Sequence, residues 1–366
     1  MRHAFSHAAM IFALLLLSTP ARSDPAPPPA APNPPQTGQF QVKFTERSPS
    51  SALDKLAHRL GWTLDTLKKE SVELEYDLAK ESFEVYIPAD YDGSKKYGLF
   101  VWVSASPSGG VHQQWLEQLD KRHLIWIGAN NAGNPRAVTA RLGLAIDAVH
   151  NMKAKYAIDD DRIYVSGGSG GGRCSSILGV SHPDIFRGGF YMIGCDYFRI
   201  IPTGEPSKFW QRSYGPPEPK MMALAAHHSR HVLLTGENDM NRAQTKGNYE
   251  RGFLKDGFEH VLYLEVPGMG HQPPPADWFE KGLAFLDERP AAVAASQPAE
   301  RAIPVAGAPN DPNADAADKL LRMAKLYARN NRADQARVQL QKLIDAYPNS
   351  PASAEAKKLL AELGKQ

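Results

Sequence analysis

The stretch Arg162-Ile-Tyr-Val-Ser-Gly-Gly-Ser-Gly-Gly-Gly-Arg-Cys-Ser-Ser176 constrains this chain more than any other. Ile163 to Ser166 is β-branched and aromatic, as a short strand is, and the glycine cluster after it leads into a helix that begins near Gly170. Gly167-Gly168-Ser169-Gly170-Gly171 fits the pattern Gly-x-Ser-x-Gly. In that pattern the strand-to-helix turn is so sharp that side chains two residues either side of the serine would collide with neighbouring backbone, and glycine removes the collision. The turn lifts the Ser169 hydroxyl above the sheet edge and aims the Gly170 N–H, at the helix start, at any oxyanion formed beside it. A phosphate-binding loop is the competing use of such glycines. The spacing of Gly168-Ser-Gly170-Gly-Gly-Arg173 does not fit Gly-x-Gly-x-x-Gly, and no Lys-Ser/Thr pair follows.

Around this turn the pattern alternates. Ser82 to Ile87 reads as an antiparallel strand ending at Pro88. Short apolar strands then follow at Leu99–Ser104, Leu124–Gly128, Ile163–Ser166, Gly188–Ile193, His231–Leu234 and Val261–Val266. Helices are expected at Val111–Arg122, Val138–Tyr156, Arg242–Lys255 and Pro275–Asp287. Strand and helix in alternation imply a largely parallel sheet covered by helices on both faces, an α/β domain spanning 81–288. Sites in such sheets lie outside the carboxyl ends of strands, where Ser169 falls. Two further residues fall there. Asp239 lies in the polar turn after the strand ending at Leu234, and His271 closes Pro267-Gly-Met-Gly-His271 after the strand ending at Val266.

Ser, then Asp, then His, each directly after its own strand, is the chain order of α/β-hydrolases. On these motifs residues Phe83 to Leu286 resemble that superfamily, and within it the exported polyhydroxybutyrate depolymerase, feruloyl and acetylxylan esterase-like group. The resemblance implies a nucleophile at Ser169, an acid at Asp239, with Glu237 close by, and a base at His271. It implies no metal or organic cofactor. After the first core strand the family often has His-Gly, whereas this chain has Val103-Ser-Ala-Ser-Pro107. The second oxyanion donor is therefore expected from the N–H of Ala105 or Ser106, beside that of Gly170. A serine hydroxyl is a weak nucleophile at neutral pH, so His271 would take its proton and Asp239 would hold the imidazole.

The aromatic segment after the strand that ends near Ile193, with Tyr197, Phe198 and Trp210, and Trp115 near the expected oxyanion loop, are the candidates for a substrate pocket; packing in the core is the alternative for each. Cys174 and Cys195 are the only cysteines and fall on neighbouring elements, so a disulfide is within reach, with two buried thiols as the alternative. His227, His228 and His231 have some of the spacing of metal ligands but straddle a helix end entering a strand, where cationic side chains suit the helix dipole; Asp159 to Asp161 lack the rest of a calcium loop and read as the turn before the elbow strand, so no metal is expected at either.

Residues 1–23, with the apolar run Ala8 to Leu17 and Ala21-Arg-Ser23, resemble a secretory signal peptide, so an exported protein, periplasmic or secreted, is expected. No stretch is apolar enough for a membrane span, and a formal charge of +2 suggests no nucleic acid or other polyanion as partner. Residues 24–39 and 289–314 are Pro/Ala-rich linkers, and 40–80 form a helical N-terminal extension. Over 315–366, apolar residues recur at helical spacing in three segments, for example Ala336, Leu340, Leu343, Ile344 and Tyr347. With Asn330-Asn-Arg332 at one turn and Tyr347-Pro348 at the next, this part resembles a single tetratricopeptide repeat with a capping helix, a module for a protein partner. The expected activity is hydrolysis of a carboxylic ester, small or polymeric, through an acyl-serine. A serine peptidase on the same residues, or an idle hydrolase domain serving as a scaffold through its helical module, are the alternatives.

Overall fold

The computed structural model describes residues 35–288, apart from 66 and 68–74, and, of 317–363, all but 318–319, 322, 326, 329–332 and 349. The expected signal peptide, most of the first linker and the second linker lie outside the described residues. No described helix is long and apolar enough to cross a membrane.

An eight-stranded sheet organises the domain, in the order β1-β2-β4-β3-β5-β6-β9-β10. Its strands are β1 (Gly38–Val42), β2 (Phe83–Ile87), β3 (Tyr97–Val103), β4 (Leu124–Ala129), β5 (Ile158–Gly168), β6 (Gly188–Met192), β9 (Arg230–Gly236) and β10 (Val261–Val266). The strands β7 (Ile201–Pro202) and β8 (Phe209–Trp210) form a separate antiparallel pair. β1 and β2 are antiparallel to their neighbours and the remaining pairs are parallel. Strand order reverses at β3, which opens a crevice at the carboxyl ends of β3 and β5, the usual site position in an open sheet.

Successive residues face opposite sides, and both sides are buried. Leu99, Val101, Val103, Ile163 and Val165 point into one core with α3 (Val138–Lys155) and α4 (Gly170–Ser181). Phe100, Trp102, Trp126, Tyr164 and Phe190 point into the other, against α2 (Leu116–Lys121) and α7 (Ala276–Asp287). The helices α1 (Leu53–Leu60), α5 (Pro219–His227) and α6 (Arg242–Gly247) complete the domain. Asp287 fastens the end of α7 to the sheet, accepting from Arg162 Nε and Nη2 and from the Tyr164 hydroxyl at 2.8–2.9 Å.

Three expectations are corrected. Residues 38–42, placed between linker and helical extension, form edge strand β1; Phe40 and Val42 alternate with Gln39 and Gln41, a pattern too short to read beside a proline-rich segment. Asp159 to Asp161 belong to β5, which begins at Ile158 and runs through a register shift against β3. The helix expected over 242–255 changes type: α6 gives way at Asn248 to a π-helical turn ending at Phe253. Such turns widen a helix locally, and here Gly247 and Gly252 admit the rings of Trp210 and Tyr197. At the C-terminal end, α8 (Ala333–Ala346) and α9 (Pro351–Leu363) share a small core in which Leu340, Leu343, Ala352 and Ala356 are buried.

Candidate active site

β5 ends at Gly168, and Ser169 takes φ 54° and ψ −120° before α4 starts at Gly170. A non-glycine residue in this region costs on the order of 1–3 kcal/mol and persists only where its surroundings hold it. Here glycines permit the contacts that hold it. A Cβ on Gly171 would stand 1.9 Å from the Val103 carbonyl oxygen, and one on Gly172 would stand 2.4 Å from that of Gly194. The first turn of α4 is thus pressed onto the ends of β3 and β6.

Three side chains from three strand ends converge above this turn. His271 Nε2 is 2.8 Å from Ser169 Oγ, and His271 Nδ1 is 2.7 Å from Asp239 Oδ1. Asp239 Oδ1 also accepts from the Asn241 backbone N–H at 3.0 Å, and Oδ2 accepts from the Thr235 hydroxyl at 2.8 Å. The carboxylate side chain is 0% exposed and the imidazole 25%. Since both oxygens of Asp239 are filled by donors, His271 presents Nδ1–H to it and leaves Nε2 as the acceptor for the Ser169 hydroxyl. Glu237, the other acid of that turn, instead accepts from the Gly268 N–H at 2.8 Å and shapes the loop carrying His271.

Of the oxyanion candidates, the Ser106 N–H donates to Ser104 Oγ at 3.1 Å and is occupied. The N–H groups of Ala105 and Gly170 carry no hydrogen bond among the described residues. A Cβ on Gly170 would stand 2.0 Å from Asn134 Oδ1, so the exposed Asn134 amide lies directly beside the Ser169 turn.

The pocket candidates do not line this site. Trp115 is fully buried, stacks on Phe279 at 4.3 Å, and donates its indole N–H to Pro274 O at 3.1 Å. Gln114 Nε2 donates to the same carbonyl at 3.1 Å, so both residues fix the loop that follows His271. Tyr197 and Phe198 are buried, the Tyr197 hydroxyl donating to Asp256 at 2.8 Å, and Trp210 packs on Gly247 beneath Arg251. The cysteines are corrected too: both are buried free thiols. Burial pushes Cys174 up to about 11 and Cys195 to about 12, so both stay protonated at neutral pH.

Several site residues gave no sequence signal. Arg173, one turn after Ser169, donates to Asp196 Oδ1 at 2.5 Å, Gln244 Oε1 at 2.9 Å and Asn241 Oδ1 at 3.1 Å. It thereby ties the elbow helix to the turn that carries Asp239. Ile193 has φ 47°, unusual for a β-branched residue, and its carbonyl accepts from Asn241 Nδ2 at 2.8 Å. Its side chain reaches Gly168 beside Trp102. The partners of these residues are distant in sequence, which is why pattern alone misses them.

No family model matches this chain. A stretch of 96 residues is 28% identical to a poly(3-hydroxybutyrate) depolymerase of Ralstonia pickettii, covering 22% of this chain and 20% of that protein's length. Among solved structures, a feruloyl esterase module of Clostridium thermocellum, complexed with sinapinate, is similar over 69% of this chain and 90% of its own, at 15% identity and a TM-score of 0.45. A poly(3-hydroxybutyrate) depolymerase of Bordetella parapertussis is similar over 58% and 88%, at 18% identity and a TM-score of 0.42. Esterase 2 of Thermogutta terrifontis is similar over 59% and 94%, at 16% identity and a TM-score of 0.41. Likenesses at this level do not decide activity; the side chains around Ser169 carry that question.

Proposed function

We propose that this chain is a serine hydrolase that cleaves carboxylic esters through an acyl-serine intermediate. The observation that carries the reading is the unbroken chain from Ser169 Oγ to His271 to the buried Asp239, with bonds of 2.8 and 2.7 Å. As the Ser169 oxygen attacks the ester carbonyl carbon, its proton passes to His271 Nε2, and Asp239 stabilises the imidazolium. The carbonyl oxygen, now an oxyanion, is held by the N–H groups of Gly170 and Ala105, each donor contributing about 3 kcal/mol to lowering the barrier. His271 returns the proton to the departing alcohol as the tetrahedral carbon collapses to acyl-serine. Water then repeats the sequence, with His271 as base, and releases the acid.

In this reading residues 1–23 export the protein, and the C-terminal helices, a single tetratricopeptide-like repeat, contact a protein partner. The catalytic part is tested by hydrolysis of short-acyl, long-acyl and hydroxycinnamoyl chromogenic esters by the chain and by Ser169→Ala. Turnover of at least one ester, lost by about a thousandfold or more in Ser169→Ala, is the expected result. Turnover unchanged by Ser169→Ala, or no turnover of any ester, refutes it.

A further inference from the structure

A buried arginine in α3 stands without a carboxylate partner. Arg141 is 4% exposed and makes no ion pair among the described residues. Asp147, on the same helix, is already engaged by the Ser48 N–H, the Tyr76 hydroxyl and Arg47. Arg141 instead donates from Nη2 to the Ser104 carbonyl at 2.7 Å and from Nε to the Ala132 carbonyl at 2.8 Å. An unpaired buried cation is strongly unfavourable unless its donors are satisfied, and these two carbonyls belong to the loops that follow β3 and β4, the two successive strands on one side of β5 and its Ser169 turn.

The acceptor matters. The Ser104 carbonyl and the Ala105 N–H are the two ends of one peptide unit, which is planar and trans, so they point in opposite directions. Gripping the oxygen from α3 turns the N–H away from α3 and fixes its direction. Other bonds hold the unit's surroundings. The Asn134 N–H donates to Ala105 O at 3.0 Å, the Asn131 N–H to Pro107 O at 2.6 Å, and the Ser106 N–H is taken by Ser104 Oγ. The Val103 and Ser104 backbone lies against Gly171 in the first turn of α4.

We propose that Arg141 is a positioning residue that aims the Ala105 N–H at the oxyanion formed on Ser169. This rests on the hydrolase reading above. Arg141 touches neither substrate nor the reacting atoms. It acts through the Ser104–Ala105 peptide, holding its plane and, as a cation on the carbonyl, polarising the N–H into a stronger donor. Ala105 lies in a segment of Ser, Ala and Pro without glycine, and the long-range clamp supplies the direction that local sequence does not.

The test uses the full chain with Arg141→Met, which removes both donors at similar length, and Arg141→Lys, which keeps the charge but lacks the fork that spans two carbonyls. For a short p-nitrophenyl ester, kcat of Arg141→Met falls about 100- to 1,000-fold while KM stays within about threefold, since a donor used only by the oxyanion is lost. Affinity for an alkylboronic acid, which forms a tetrahedral adduct on Ser169, falls in parallel with kcat. Arg141→Lys shows a smaller loss of the same kind. Wild-type turnover with undiminished kcat in a folded Arg141→Met overturns the inference alone and leaves the hydrolase reading standing. A loss of kcat with boronate affinity unchanged also overturns it, because that is the pattern of a merely structural role. If Arg141→Met does not fold, Arg141→Lys carries the same two readouts with the same criteria. A wild type that hydrolyses no ester removes the hydrolase reading and this inference together.

Discussion

In the proposed hydrolase, replacing Asp239 by asparagine separates two functions of the carboxylate, orientation and charge. Oδ1 faces two donors, His271 Nδ1 and the Asn241 N–H, whereas Oδ2 faces, among the described residues, only the Thr235 hydroxyl, which can rotate to accept instead of donate. An asparagine therefore places its oxygen at the Oδ1 position and its NH2 toward Thr235. His271 keeps Nδ1–H, and Nε2 stays available to Ser169. What is lost is the charge that stabilises the imidazolium. The charge-assisted part of the bond is about 1–2 kcal/mol, and the Coulomb attraction of an ion pair at about 4 Å in a partly screened site is at most about 4 kcal/mol. The expected loss is then about 2–4 kcal/mol, or about 30- to 1,000-fold in kcat. Asp239→Ala, which also frees the imidazole, should lose about 10⁴-fold or more. Adding Thr235→Val to Asp239→Asn removes the acceptor for the NH2 and should deepen the loss toward that of alanine. The assay is steady-state hydrolysis of the best ester substrate at a pH above the kinetic transition of each variant. Equal losses for Asp239→Asn and Asp239→Ala would refute the reasoning, because the amide would then present its NH2 to His271.

Other consequences concern packing and pH. Gly171→Ala meets the Val103 carbonyl at 1.9 Å, a backbone atom that cannot yield, whereas Gly170→Ala meets only the end of the Asn134 side chain at 2.0 Å. Chemical denaturation should show Gly171→Ala destabilised by more than about 2 kcal/mol and Gly170→Ala by much less; the reverse order contradicts the packing. Burial lowers His182 to about 3 and His231 to about 4, against 6.5 for an exposed histidine. Each binds a proton only on unfolding, so its stabilisation is complete above about pH 6.5 and is lost as pH falls toward 3–4, by about 2 kcal/mol per histidine at pH 5. The melting temperature should fall between pH 7 and pH 5, and less steeply in His182→Gln; an equal slope in the variant counts against the assignment. Trp115→Phe keeps the stacked ring but loses the bond to Pro274 O, so kcat should drop about three- to tenfold with the fold intact, at about 0.5–1.5 kcal/mol for one neutral hydrogen bond. An unchanged kcat would mean that Gln114 alone holds the loop.

Much of this architecture is legible in the sequence because the signals are local. The elbow needs glycines at fixed offsets from Ser169, and strands buried on both faces read as short apolar runs, so β2 to β6, β9 and β10 can be placed. Asp239 and His271 are legible because each follows its strand within a few residues. What a sequence lacks is the direction of a side chain. Tyr197, Phe198 and Trp115 have the composition of a binding surface, yet their rings turn into the cores. The same holds for the cysteines, whose adjacent elements permit a bridge that the thiols do not form. The bonds of Arg173 to Asp196, Asn241 and Gln244, and of Arg141 to Ser104, span between 23 and 71 positions. No periodicity encodes such pairs, and they are the interactions that hold the site's loops in place.

Activation of Ser169 as a nucleophile by His271, the core of the proposed function, is tested by labelling of the chain with a fluorophosphonate at neutral pH, followed by peptide mass spectrometry. A single adduct is expected on the peptide containing Ser169, absent from Ser169→Ala and formed at least about a hundredfold more slowly in His271→Ala, through loss of a general base. An adduct on another residue, or labelling of Ser169 that proceeds as fast without His271, would contradict it.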